Sequence, residues 1–193
     1  QKVRVHTSHG VIYGAVVITR ELCKKSDLAA KDLSIDIGAV SKEDALKTVA
    51  LGDTITFDTD YRDLLNNRFT GRALDDRVGA FIVMEALQKA REKGCKVGAY
   101  ATSTTGEETT GNGAWFAATR VCPTLGVAVD VTYASDYPGT DEAETGDVCI
   151  GKGPVICNNT SIHKKVNQKL YAAADKLGMQ VQTEAANGRT GTD

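Results

Sequence analysis

The chain has 193 residues, the size of one domain or of one domain with a small companion. Lys and Arg total 23 against 25 Asp and Glu, so no basic excess exists to drive non-specific binding to nucleic acid. An apolar share of 41% excludes a wholly disordered chain, and no apolar run nears the roughly 20 residues that span a bilayer.

The first 70 residues predict short strands and turns. Val3–His6 alternates at period two, Ser8-His9-Gly10 turns, and Val11–Ile18 is strand-like. Leu33–Ile37 and Thr54–Asp58 alternate in the same way. Between them, Ser41-Lys42-Glu43-Asp44 has the pattern of a capped helix start, and Gly52-Asp53 closes that short helix. Several strands with one small helix predict a compact β-barrel or small sandwich over residues 1–69.

The rhythm changes over residues 70–193. Asp75–Lys93 predicts a helix with Val78, Phe81, Ile82, Ala86 and Leu87 as its apolar stripe and Gly94 as its stop. Lys96–Thr102 reads as a strand and Glu107–Thr119 as a helix. Leu125–Val131 reads as a strand buried on both faces. Ser161–Leu177 predicts a helix with Ile162, Val166, Leu170, Ala173 and Leu177 on one side. Gly178 ends it, and Met179–Glu184 is a further strand. This alternation predicts an α/β domain with a mostly parallel sheet flanked by helices.

The acids stand at the turns of this pattern. Asp75-Asp76 opens a helix, Glu107-Glu108 follows Thr104-Thr105-Gly106, Asp130 sits in the Leu125–Val131 run, and Asp193 follows Gly191-Thr192. In an open parallel sheet the carboxyl ends of the strands share one edge, where ligands bind. Four segments would therefore bring acids to one crevice, and clustered carboxylates repel unless cations balance them. A pair of divalent metals needs a bridging carboxylate and terminal ligands, and a neighbouring free acid then serves as general base. Each acid also has a structural reading: Asp75-Asp76 and Glu107-Glu108 are good first-turn caps, and a terminal Asp193 frays. Asp130, in an apolar run, is expected to be desolvated and partnered.

His6, His9 and His163 are scattered and read as surface or packing residues. The cysteines Cys23, Cys95, Cys122, Cys149 and Cys157 are odd in number and contain no CxxC, which fits reduced thiols and a cytoplasmic location. No GxSxG, Walker or dinucleotide signature is present.

Four motifs resemble one known family. They are Thr70-Gly71-Arg72-Ala73-Leu74-Asp75-Asp76-Arg77-Val78-Gly79, Gly106-Glu107-Glu108-Thr109-Thr110-Gly111, Val127-Ala128-Val129-Asp130-Val131-Thr132 and Gly191-Thr192-Asp193. In this order they resemble the glutamyl and tetrahedral aminopeptidases, dinuclear zinc or cobalt exopeptidases. Leu33–Ala39 and Ser41–Ala45 resemble that family's inserted β-domain, and Gly151-Lys152-Gly153-Pro154 a later loop.

The resemblance implies that Asp75 bridges the two metals, that Glu108 and Asp130 each bind one, and that Glu107 is the general base. Asp76 and Arg77 are then support, and Asp193 is near the site without being a ligand. It also implies a peptide substrate and dimers that build a hollow homo-oligomeric shell; the charge balance and the lack of a long apolar run speak for neither nucleic acid nor membrane as partner. The family uses two further His ligands, one near each end of its catalytic domain, and no His here matches either motif. The expectation is therefore an aminopeptidase whose 193 residues alone are inactive and poorly metallated. Two other readings compete: an assembly module that keeps the β-domain's association role without the chemistry, and a carboxylate-rich magnesium phosphohydrolase. The phosphohydrolase lacks a nucleophilic-Asp or phosphate-loop motif.

Overall fold

The computed structural model describes residues 1–140, 142–186 and 191–192. The chain divides into two compact units, Gln1–Arg72 and Ala73–Asp193.

In the first unit, the alternating apolar residues form an antiparallel sheet. Strands β1 (Lys2–Thr7), β2 (Gly10–Val17), β3 (Ser34–Asp36) and β4 (Thr54–Phe57) lie in the order β3-β2-β1-β4. β1 is central. Val3 pairs with Gly14 and Phe57, and Val5 pairs with Ile12 and Ile55. Val3 and Val5 are only 1% and 3% exposed, so one face of β1 is the core of this unit. At Gly14, β2 leaves no room for a side chain beside β3. A Cβ there would lie 2.8 Å from Ile35 Cγ2 and 2.9 Å from the Asp36 carbonyl oxygen. Helix α1 (Lys42–Leu46) starts at the expected cap, Ser41, whose Oγ accepts from Asp44 N at 3.2 Å. The helix and sheet line an open cleft of about 440 Å³ that includes Val5, Ile35, Ala45, Val49 and Ile55.

Arg4, on the other face of β1, pairs with Asp58 at 2.5 Å and Asp60 at 3.2 Å. The Asp58 hydrogen bond, reinforced by Asp60, raises its pKa.

Sequence patterning missed a hairpin of β5 (Arg62–Leu64) and β6 (Arg68–Thr70). Its turn carries Asn66 and Asn67 at φ 60° and 55°, the left-handed region that Asn tolerates better than most residues. Tyr61 and Phe69 rings lie 5.5 Å apart beside it. Among the described residues the four-stranded sheet ends in β3 and β4, and the expected β-barrel or small sandwich is not shown by it.

The second unit contains α2 (Leu74–Glu92), α3 (Asn112–Val121), α4 (Glu142–Thr145), β7 (Val155–Asn158), α5 (Lys164–Leu177) and β8 (Gln182–Ala185). β7 and β8 pair in parallel, from Val155 opposite Gln182 to Asn158 opposite Ala185. α5 begins where His163 Nδ1 accepts from Lys165 N at 3.3 Å, so His163 caps a helix. Gly178 ends the helix at φ 61°, as its position predicts.

α5 holds β7 through a buried polar residue. Asn167 is 6% exposed. Its Nδ2 donates to the Cys157 carbonyl and to Asn158 Oδ1, both at 2.8 Å. Asn158 Nδ2 donates to Tyr171 Oη at 3.0 Å, and Tyr171 Oη lies 2.9 Å from Thr183 Oγ1 on β8. Ser135, also buried, exchanges bonds with Val148: its N donates to the Val148 carbonyl at 2.7 Å, and Val148 N donates to Ser135 Oγ at 2.9 Å. The Gln182 side chain acts like a strand partner for Cys149, accepting from its N at 2.8 Å and donating to its O at 3.0 Å.

Three expectations are corrected. Lys96–Thr102 and Leu125–Val131 form no ladder among the described residues. An apolar run supplies strand propensity only, and a strand needs a neighbour to take its N–H and C=O groups. Leu125, Val127 and Val131 are accordingly exposed, not buried on both faces. The stripe of α2 is also largely open, with Phe81 64% exposed and Ile82 45%. On α5 the buried positions are Asn167 and Ala174, while Leu177 at the predicted apolar edge is exposed.

Candidate active site

The start of α2 is not regular helix. Ala73 takes φ 53°, ψ 43°, in the left-handed region. Asp75 (φ −80°, ψ 113°) and Asp76 (φ −113°, ψ 53°) are non-helical, and the peptide bond between them is cis. The regular helix begins after Asp76. Two side-chain bonds frame this segment: Arg77 Nε donates to the Ala73 carbonyl at 2.7 Å, and Gly79 N donates to Asp76 Oδ1 at 2.8 Å. Gly79 is buried, and a Cβ there would sit 2.7 Å from both Asp76 Cγ and Asp76 Oδ1.

Asp75 is exposed and Asp76 half-buried. Burial holds the Asp76 carboxyl above its ordinary pKa, against the Gly79 N–H, with the Asp130 and Asp75 carboxylates adding repulsion. The two segments carrying Asp75-Asp76 and Asp130 thus lie within electrostatic reach. Asp130 itself is exposed, and its Oδ1 accepts from Val131 N at 2.7 Å. The expectation of a desolvated Asp130 therefore fails, because its segment stays open to solvent. Thr132, two residues on, ties that segment to β8 through a 2.9 Å bond to Glu184 Oε2.

Glu107 and Glu108 sit in a tight turn ahead of α3. The Gly106 carbonyl gathers the N–H groups of Thr109, Thr110 and Gly111 at 3.3, 2.8 and 2.8 Å. Gly106 reaches this turn at φ 77°. Glu107 is half-buried and Glu108 exposed. Gly113, near the start of α3, packs against the Thr104-Thr105 backbone just before the turn. Its N donates to the Thr105 carbonyl at 3.1 Å, and a Cβ there would overlap the Thr105 backbone. The predicted helix from Glu107 accordingly starts at Asn112, after the turn.

The donor chemistry is one-sided. Asp75, Glu108 and Asp130 offer only oxygen, whereas zinc sites draw on nitrogen or sulfur as well. His163 is occupied in capping α5. Among the described residues, no group of three or more His, Cys, Asp or Glu side chains is placed to hold a metal ion. These residues therefore do not by themselves fit a complete dinuclear zinc or cobalt centre. Asp193 lies outside the described residues. Sequence reasoning missed Gly79; its signal was a Gly three residues after an Asp able to cap.

No helix among the described residues is long and apolar enough to cross a membrane. The cysteines Cys23, Cys95, Cys122, Cys149 and Cys157 are free.

Comparison with known proteins bears on all of this chain. A lysyl aminopeptidase of Pyrococcus furiosus is 30% identical over 202 residues, covering 100% of this chain and 56% of that protein. The crystal structure of a TET aminopeptidase from a marine sediment archaeon of the Thaumarchaeota superposes with a TM-score of 0.83 at 30% identity. It covers 100% of this chain and 57% of its own. The TET1 peptidase of Pyrococcus horikoshii, described as assembling into a tetrahedron or a large octahedral shell, matches at TM-score 0.73 and 30% identity over 99% of this chain and 58% of its own. The chain thus spans little more than half the length of the curated relatives it matches. Its α/β fold is similar to that of the TET aminopeptidases. The M42 glutamyl aminopeptidase model matches residues 1–193 without interruption, and the chain belongs to that family.

Proposed function

We propose that this protein is a metal-dependent aminopeptidase that removes N-terminal residues from peptides. The observation that carries this reading is the family match along the whole chain. The repulsion that Asp130 exerts on the Asp76 carboxyl supports it further. In this reading Asp75 would be the bridging ligand of two divalent ions, zinc or cobalt, and Glu108 and Asp130 would each hold one. Taken alone, the 193 residues are inactive and poorly metallated, because oxygen ligands make a weak zinc site. The ions, when bound, supply Lewis acidity.

Glu107 is the general base. It takes a proton from the attacking water as the C–O bond forms, then gives it to the departing amine as the C–N bond breaks. Its half-buried position suits a carboxylate that must exchange a proton. Glu108, more exposed, would hold a cation.

The shell-forming structural relative supports a homo-oligomer, and five free cysteines support a reducing, cytoplasmic setting.

The test is Glu107→Gln in the full-length gene product, with metal content and aminoacyl-anilide hydrolysis measured on the same sample. Removing a general base costs about 100- to 10,000-fold in rate. Metal content should stay at the wild-type level. Loss of metal in the variant makes Glu107 a ligand, and full activity removes it from the chemistry.

A further inference from the structure

We propose that the cleft at the foot of the β5–β6 hairpin is a binding site for a small oxyanion, a phosphate or carboxylate group. It is built from the first unit alone and uses none of the acids of the second.

The cleft has a volume of about 360 Å³ and is lined by Thr59, Asp60, Arg62, Thr70, Gly71 and Arg72. All six fall within Gln1–Arg72. The hairpin register puts Arg62 opposite Thr70. Side chains of such a pair stand on one face of the ribbon, roughly 5 Å apart at Cβ, so a guanidinium and a hydroxyl are presented together. Arg62 is held in direction, because its Nη1 donates to the Tyr61 carbonyl at 2.7 Å. Among the described residues its other polar partner is Asp60, whose Oδ2 lies 3.7 Å from Nη2. A guanidinium carries five N–H donors in a planar fork, so most of them remain for a ligand in the cleft.

The charge balance favours an anion. Asp60 is the acid of the lining, and it is shared with Arg4, whose Nη2 lies 3.2 Å from Asp60 Oδ1. Counted with Arg4 and its second partner Asp58, three guanidinium groups stand against two carboxylates. A phosphate or carboxylate accepts from a guanidinium fork through two parallel bonds, which a spherical anion such as chloride cannot match. Thr59 and Thr70 add hydroxyl donors for a further oxygen. The Arg62 side chain is 70% exposed, so the site is open and its binding weakens with salt.

The test uses the isotope-labelled 193-residue chain without added metal. It is titrated with inorganic phosphate and, separately, with acetate, and sodium chloride holds the ionic strength constant. Amide shifts over Thr59–Arg72 should saturate. Saturation at the lower concentration with phosphate makes this a phosphate site, and with acetate a carboxylate site. Arg62→Ala should weaken binding about 10-fold or more, the effect of losing a charge-assisted bond. Arg68→Ala, on the same hairpin but outside the lining, should stay within about twofold of wild type. Asp60→Asn removes the acid of the lining and should tighten binding about threefold. Shifts that never saturate, or that sodium chloride alone reproduces, overturn the proposal. A loss in Arg68→Ala equal to that in Arg62→Ala overturns it too, since diffuse surface charge would then account for the binding. If Arg62→Ala does not fold, Asp60→Asn decides alone: tighter binding supports the site, and unchanged or weaker binding sinks it.

Discussion

Asp75 and Asn167 illustrate two uses of a polar side chain in one unit. Asp75 is exposed at an irregular helix start, with its neighbours held by Arg77 and Gly79. Asn167 is buried and spends its amide group on β7. For the first, loss of charge should act on cation binding. Asp75→Asn should lower occupancy at both metals of the full-length protein, read by metal analysis after dialysis; full occupancy would remove Asp75 from the bridging role. For the second, loss of the amide should act on stability. Asn167→Ala leaves the Cys157 carbonyl and Asn158 Oδ1 short of a donor and should cost about 1–3 kcal/mol in denaturant unfolding. An unchanged midpoint would mean that water replaces the amide without loss. Sequence alone marked Asp75 through its motif. It gave no sign of Asn167, because a polar residue on an amphipathic helix looks solvated until the strand it bonds is in place.

At the scale of elements, the close approach of β3 to β2 depends on one residue. Gly14 leaves room for Ile35 Cγ2 and the Asp36 carbonyl. Gly14→Ala should push β3 away and destabilise the first unit by about 1–3 kcal/mol, the usual cost of overpacking. Faster amide exchange in Ser34–Asp36 is the measurement, and unchanged protection there would mean that β3 shifts without losing its ladder. The strands β1, β2, β3 and β4 were legible because alternation at period two is a local signal. The β5–β6 hairpin was passed over, since three-residue strands carry too little pattern and only Asn66-Asn67 marks their turn. α5 was legible through Gly178 and its apolar spacing. α2 was legible as a helix but not in its first turn, where Asp75 and Asp76 leave helical geometry.

At the scale of the molecule, much apolar surface remains open in the second unit. Phe81, Met84, Trp115 and Phe116 are each more than 60% exposed. Open apolar surface of this kind marks places that partners cover. Trp115 is the single tryptophan and reports on this surface directly. In the isolated 193-residue chain its fluorescence should match that of free indole in water and be quenched readily by iodide. Emission shifted to the blue, with protection from quencher, would show that this surface is already covered.

The sequence by itself determined the ordering of the acid motifs, the capped start of α1, the stop of α5 and the period-two strands of the first unit. Apart from the motif order, each depends on residues within one turn or one strand of each other, where side chain and backbone act directly. Only the tertiary structure decided that Lys96–Thr102 and Leu125–Val131 join no ladder among the described residues, that Asp130 remains in solvent, and that its charge nevertheless reaches Asp76. Pairing, burial and charge–charge distance belong to two segments at once, and no single stretch of sequence specifies its partner.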